Sequence, residues 1–155
     1  MNVIYLPKYR FTKKEARIHL GYKDVDFLID VLEEQRDGFF SEDSEYDQPI
    51  LFTIDSVLED LHDFSTLNKL ASGDSILSIS TLEADLLELP LRNQKVYYPE
   101  NEKEGTILQS YIDCLMIYIK KDSKDITRFM NLPIDVQMEV LREFYSAPFG
   151  HEVRG

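Results

Sequence analysis

The chain has one cysteine, Cys114, so no intrachain disulfide can form. It contains no apolar run of the about 20 residues that a membrane span requires. The first residues, MNVIYLPKYR, lack the long apolar core of a secretory signal, and a cytoplasmic location is expected. The usual signatures of chemistry are missing too. His19, His62 and His151 stand far apart, and no His-x-x-x-His or Cys-x-x-Cys pairing offers zinc a site. Neither a Gly-x-Ser-x-Gly, a P-loop nor a Gly-x-Gly-x-x-Gly occurs. The run holding Glu42, Asp43, Glu45 and Asp47 lacks the turn glycine and terminal Glu of an EF-hand, so it reads as a disordered acidic loop. Carboxylate pairs for hydrolysis exist in any acidic chain, and nothing singles out two of them here. The expectation is a protein that is not an enzyme, with no metal and no cofactor.

What is present suits an ordinary globular chain. With 155 residues, 43% of them hydrophobic, it can bury roughly 70% of its unfolded surface without a disulfide or metal. One compact domain over residues 1–150 is expected, with a loose tail at 146–155. Thr106–Lys121 (TILQSYIDCLMIYIKK) is the expected centre. Ile107, Leu108, Tyr111, Ile112, Leu115 and Ile119 recur at helical spacing, and Cys114, Ile117 and Tyr118 widen the stripe as in a helix buried on several sides. Cys114 is then a small buried hydrophobe and not a nucleophile.

Along the chain, Asn2–Leu6 reads as a strand. Thr12, with Glu15 three residues on, reads as a capping box opening a helix that Gly21 stops. A second helix runs from Asp24 to about Gln35 on the stripe Phe27, Leu28, Val31, Leu32. Residues 39–49 form the acidic loop, and Ile50–Phe52 and Lys95–Tyr98 are short strand candidates. A third helix runs from Thr53 or Asp55 to about Ala71. Ile76–Ile79 is a strand, and Ser80 with Glu83 caps a short helix ending before Pro90. Short helices follow at Lys124–Met130 and after Pro133. The expected class is α+β, mostly helical: several amphipathic helices around a buried central helix (about 106–121), with a few short strands.

Charge is unevenly spread. The net charge is −12, yet residues 1–23 carry +5 and residues 24–104 carry −16. Asp26, Asp30, Glu33 and Asp37 fall at three- and four-residue steps opposite the apolar stripe of the second helix, an acidic ridge. This asymmetry suggests a basic partner for the middle or an acidic one for the N-terminus. A solvated acidic surface is the bland reading of the same residues.

Within Phe11–Leu32, the residues Phe11, Thr12, Glu15, Ala16, Leu20 and Gly21, with Phe27 beyond them, form one local pattern. It resembles the start of MerR-type and excisionase-type DNA-binding domains, where an aromatic-Thr start, a Glu-Ala pair and a Leu-Gly turn precede a recognition helix. Phe52–Leu67 echoes it, with His62 in place of the glycine. The resemblance covers about 22 residues and implies a helix-turn-helix subdomain within 1–38. It would touch DNA through Lys8, Arg10, Lys13, Lys14 and Arg17, and a homodimer would let two such patches span neighbouring half-sites. The departure is chemical. Where a recognition helix offers basic or amide side chains, this one offers Asp24, Asp26, Asp30, Glu33 and Glu34, which repel phosphate. The leading expectation is therefore an acidic regulator or inhibitor. Asp26, Asp30, Glu33, Glu34 and Asp37, with Glu42, Asp43, Glu45 and Asp47, would meet a partner protein bearing a basic, nucleic-acid-binding surface. Acidic inhibitors from phages and mobile elements, and immunity proteins, act in this general way.

Overall fold

Alternation decides the N-terminal region. Glu15–Leu20 (EARIHL) buries Ala16, Ile18 and Leu20 and turns Glu15, Arg17 and His19 outward, the period-two pattern of a half-buried strand. The computed structural model describes residues 3–6, 9–12, 14–71, 75–98 and 102–146. In it, β1 (Val3–Leu6) and β2 (Tyr9–Thr12) pair antiparallel, Val3 opposite Thr12. Strand β3 (Glu15–Leu20) pairs antiparallel with the distant β4 (Ser75–Ser80), Glu15 opposite Ser80 and Leu20 opposite Ser75. The segment expected as a helix from Thr12 to Leu20 thus holds the last residue of β2 and the whole of β3. Ala16 and Leu20 satisfy both periods, but Ile18 between them fits only the strand, and β4 pairs with the backbone along one edge.

The helices are α1 (Tyr22–Gly38), α2 (Gln48–Ala71), α3 (Thr81–Lys95), α4 (Lys103–Lys121), α5 (Ser123–Met130) and α6 (Ile134–Ser146), with one 3-10 turn at Glu45–Asp47. The protein is mostly helical α+β. Ile50–Phe52 belongs to α2 and not to a strand: Pro49 suits a helical first turn, and Leu51, Ile54, Leu58 and Leu61 continue one buried stripe. The Ser80–Glu83 capping box forms as expected, Glu83 N donating to Ser80 Oγ at 3.1 Å and Ser80 N to Glu83 Oε1 at 3.2 Å. Pro90, expected to end that helix, lies inside it. An interior proline costs about 3 kcal/mol. Burial of Leu87, Leu91 and Gln94 along the same helix offsets that cost. Lys95–Tyr98 is accordingly the end of α3 and a turn, and Val96 is 83% exposed with no strand beside it.

Two apolar clusters form the core. The larger joins Ile18, Leu28, Leu61, Phe64, Leu77 and Ile112 from β3, α1, α2, β4 and α4. The smaller gathers Phe11, Ile126, Phe129, Val140, Leu141 and Phe144, with Phe11 edge-on to Phe129 at 6.4 Å. Helix α3 serves both, giving Leu87 and Leu91 to the first and Leu82 and Leu86 to the second. The most enclosed helix is therefore α3. On α4, Leu108, Tyr111, Ile112 and Leu115 are buried, but Cys114 and Tyr118 are partly exposed and Ile117 is 55% exposed. Burial on several sides is corrected to burial on one, because β3 and α3 cover only that face.

A polar tie fastens the two clusters. Asp122, between α4 and α5, accepts from Lys14 Nζ at 2.9 Å and from the Thr81 hydroxyl, while Thr81 N donates to the Lys14 carbonyl at 3.1 Å. The start of β3, the start of α3 and the α4–α5 junction meet there. The expected tail falls almost wholly on residues 147–155, outside the described residues.

Candidate functional site

The acidic ridge of α1 does not stand alone. Helices α1 and α2 pack antiparallel: the Ser65 hydroxyl donates to Asp26 at 2.9 Å, His62 Nε2 lies 3.4 Å from Glu33, and Arg36 Nε donates to Asp55 at 2.5 Å. This arrangement sets the exposed carboxylates Asp26, Asp30, Glu33 and Asp37 beside Asp55, Glu59 and Asp63, which form the solvent stripe of α2. Four exposed carboxylates of α1 and three of the adjoining α2 thus lie on packed helices that Arg36 and His62 bridge. Arg36 is occupied, held also by Glu42 at 3.2 Å and Asp37 at 3.5 Å. Its guanidinium is stabilised in the charged form, chiefly by the hydrogen bond to Asp55.

The loop at 39–49 is built rather than disordered. Ser41 N donates to Asp47 Oδ2 at 2.9 Å, Gln48 Nε2 donates to the Glu42 carbonyl at 2.7 Å, and Asp43 N donates to Ser41 Oγ at 3.2 Å. These bonds close the loop on itself, because serine and aspartate side chains satisfy turn amides. They also divide its acids. Glu42 joins the α1–α2 face through Arg36, and Asp43 stays exposed. Asp47 is turned to the Ser41 amide. Glu45 lines a separate cleft of about 500 Å³ with Pro49, Leu86, Met130 and Ile134. Glu34 faces α3, accepting from Gln94 Nε2 at 2.9 Å. Of the nine acidic candidates, the structure therefore gathers Asp26, Asp30, Glu33, Asp37 and Glu42.

Of the basic candidates, Lys14 and Arg17 have described side chains. Lys8 and Lys13 lie outside the described residues. Arg10 lies on β2, and Arg17 on β3 sits 3.5 Å from Glu15. Lys14 is taken up by Asp122, whose hydrogen bond is the main reason its ammonium is raised above the ordinary lysine value. The two-helix arrangement implied by the Phe11–Leu32 resemblance is absent, since its first half is strand. No second helix of such a motif forms at Phe52–Leu67 either, because that segment lies within the single helix α2.

The sequence reading missed two parts of this surface. Asp55, Glu59 and Asp63 recur every four residues opposite the α2 stripe, a signal that was present, but only tertiary packing sets them beside α1. The second part is an aromatic patch, with Phe39 41% and Tyr97 62% exposed, ring centroids 6.0 Å apart. A loop residue and a supposed strand residue gave no hint of meeting.

Among the described residues, no group of three or more His, Cys, Asp or Glu is arranged to hold a metal ion, and no helix is long and apolar enough to cross a membrane. Cys114 is half-buried, its Sγ 3.7 Å from the Arg17 carbonyl, and burial raises its thiol above the usual range. Comparison with known proteins finds no matching family model, no matching curated protein and no matching solved structure.

Proposed function

We propose that this chain is a non-enzymatic regulator or inhibitor that acts by binding a protein with a basic surface, of the kind that otherwise holds nucleic acid. The observation that carries the reading is the packed α1–α2 pair, which exposes seven carboxylates, four on one helix and three on the other. Such a face is unfavourable for the free protein. Asp26 with Asp30, Asp30 with Glu33, and Glu33 with Asp37 are like-charge neighbours at three- and four-residue spacing, each costing about 0.2–0.5 kcal/mol of helix stability. A cationic partner would relieve that repulsion on binding. The same field would steer encounter, giving a fast, salt-sensitive on-rate.

The test compares two charge-matched variants. D30K/E33K reverses the ridge; D135K/E139K makes the same net change on exposed positions of α6. Each is measured by calorimetry against the basic protein that the wild type retains from its host extract. The ridge variant is expected to lose at least tenfold in affinity and the α6 variant to keep it. Equal loss in both would reduce the effect to net charge and defeat the proposal. Salt-sensitive binding of duplex DNA, abolished by R10E/R17E, would favour a DNA-binding regulator instead. Lys14 is unsuited to that experiment because it anchors the fold through Asp122.

A further inference from the structure

One edge of the acidic face ends in exposed aromatic rings. Helices α1 and α3 meet in their last turns. The Phe39 amide donates to the Gln35 carbonyl at 3.0 Å, and the Tyr97 amide donates to the Gln94 carbonyl at 3.1 Å. The two glutamine side chains, both buried, join at 2.8 Å. One buried amide pair thus fixes both helix ends and the two rings they present. Each helix C-terminus carries about half a negative charge in its unsatisfied carbonyls. Glu34 and Asp37 add carboxylates within the same turns. Of the neighbouring cations, Arg36 is engaged with Asp55, Glu42 and Asp37 and Arg92 with Glu88, while Lys95 donates to the neutral Gln109 and keeps its charge, one cation against two carboxylates and two helix ends. Val96, 83% exposed, continues the apolar surface. Exposed aromatic area in a negative field is complementary to a cation that is itself flat and weakly hydrated.

We infer that Phe39 and Tyr97 form an arginine-binding anchor, taking a guanidinium of the basic partner against their rings while Glu34 or Asp37 accepts its hydrogen bonds. This rests on the function proposed above and names the residue type that the partner must supply. Arginine is selected over lysine because a planar guanidinium stacks on a ring and still offers its fork of donors to a carboxylate. A lysine ammonium holds its water more tightly and has no plane to stack.

Two nonapeptides, all-arginine and all-lysine, test this by calorimetry at equal salt. Wild type is expected to bind the arginine peptide about five- to tenfold more tightly. F39A/Y97A, and Y97A alone as the milder change at the more exposed ring, should bring the two peptides level. D30K/E33K should weaken both peptides together. Equal affinities in the wild type, or a preference that survives F39A/Y97A, would overturn the anchor while leaving the acidic face intact. No binding of either peptide would overturn both readings. Concentration-dependent dimerisation by sedimentation, lost in F39A/Y97A, would assign the patch to a second copy of the chain and overturn the anchor as well.

Discussion

Replacing Asp122 by Ala separates the polar tie from the apolar core. The Asp122 side chain is 3% exposed and receives the Thr81 hydroxyl and the Lys14 ammonium. Its removal leaves the Thr81 hydroxyl, in a residue itself 3% exposed, without this acceptor, at a cost of about 1–3 kcal/mol. The Lys14 side chain is 46% exposed and can turn to water, so its share is at most about 1 kcal/mol after solvent screening. The total is about 1–4 kcal/mol. In a domain of this length that corresponds to a fall in Tm of roughly 2–16 °C. D122N keeps an acceptor for Thr81 and should cost less than half as much. K14M should cost more than the exposure of Lys14 suggests, because it strands a buried carboxylate without its cation. K14M/D122N should then be less damaging than the two single changes summed. Because the Lys14 value is raised, its contribution is complete below the unfolded lysine value of about 10.4 and is lost as pH rises through the higher folded value. Calorimetric melting of the four variants at pH 7 measures the costs, and urea unfolding of wild type and K14M from about pH 9 to 11 measures the alkaline loss. A shift below 2 °C for D122A would show the tie to be an ordinary screened surface contact.

Tyr111 gives a change of the opposite sign. Its hydroxyl is buried with no hydrogen-bond partner among the described residues, and burial, with Asp24 adding repulsion, pushes its phenol well above the ordinary range. Y111F should gain about 1 kcal/mol at pH 7 by urea unfolding. Wild-type stability should also fall as pH rises past about 10, where the unfolded phenol ionises and the folded one does not, and Y111F should flatten that limb. D30K/E33K should shift stability by less than about 0.5 kcal/mol at pH 7, since both positions face solvent and the new lysines pair with Asp26 and Asp37 along α1.

Much of the fold could be read from the chain because several segments carry one unambiguous period. The α2 stripe Ile54, Val57, Leu58, Leu61, Phe64 fits only a helix, and the Ser80–Glu83 box marks a helix start that local chemistry alone specifies. Failures occurred where long-range packing overrides a local signal. Ala16 and Leu20 offer both periods; Ile18 between them favours the strand, and pairing with β4, more than 50 residues away, secures it. Pro90 is tolerated because α3 is walled in by other elements. The most enclosed helix was misjudged because α3 buries Thr81, Glu83 and Gln94, polar residues that read as surface until their partners in Asp122, Ser80 and Gln35 are seen. The acidic ridge of α1 was legible from spacing. Its doubling by α2, and the meeting of Phe39 with Tyr97, depend on how helices pair and left no mark in one segment.

The central claim is that the α1–α2 face meets a basic protein. Amide hydrogen exchange, with and without the captured partner, tests it most directly. The account predicts protection confined to the face: α1 from Asp26 to Asp37, the exposed stripe of α2 from Asp55 to Asp63, and the turn at Val96–Tyr98. Protection centred on β1 and β2, or on the cleft between Pro49 and Ile134, with the α1–α2 face unchanged, would contradict it.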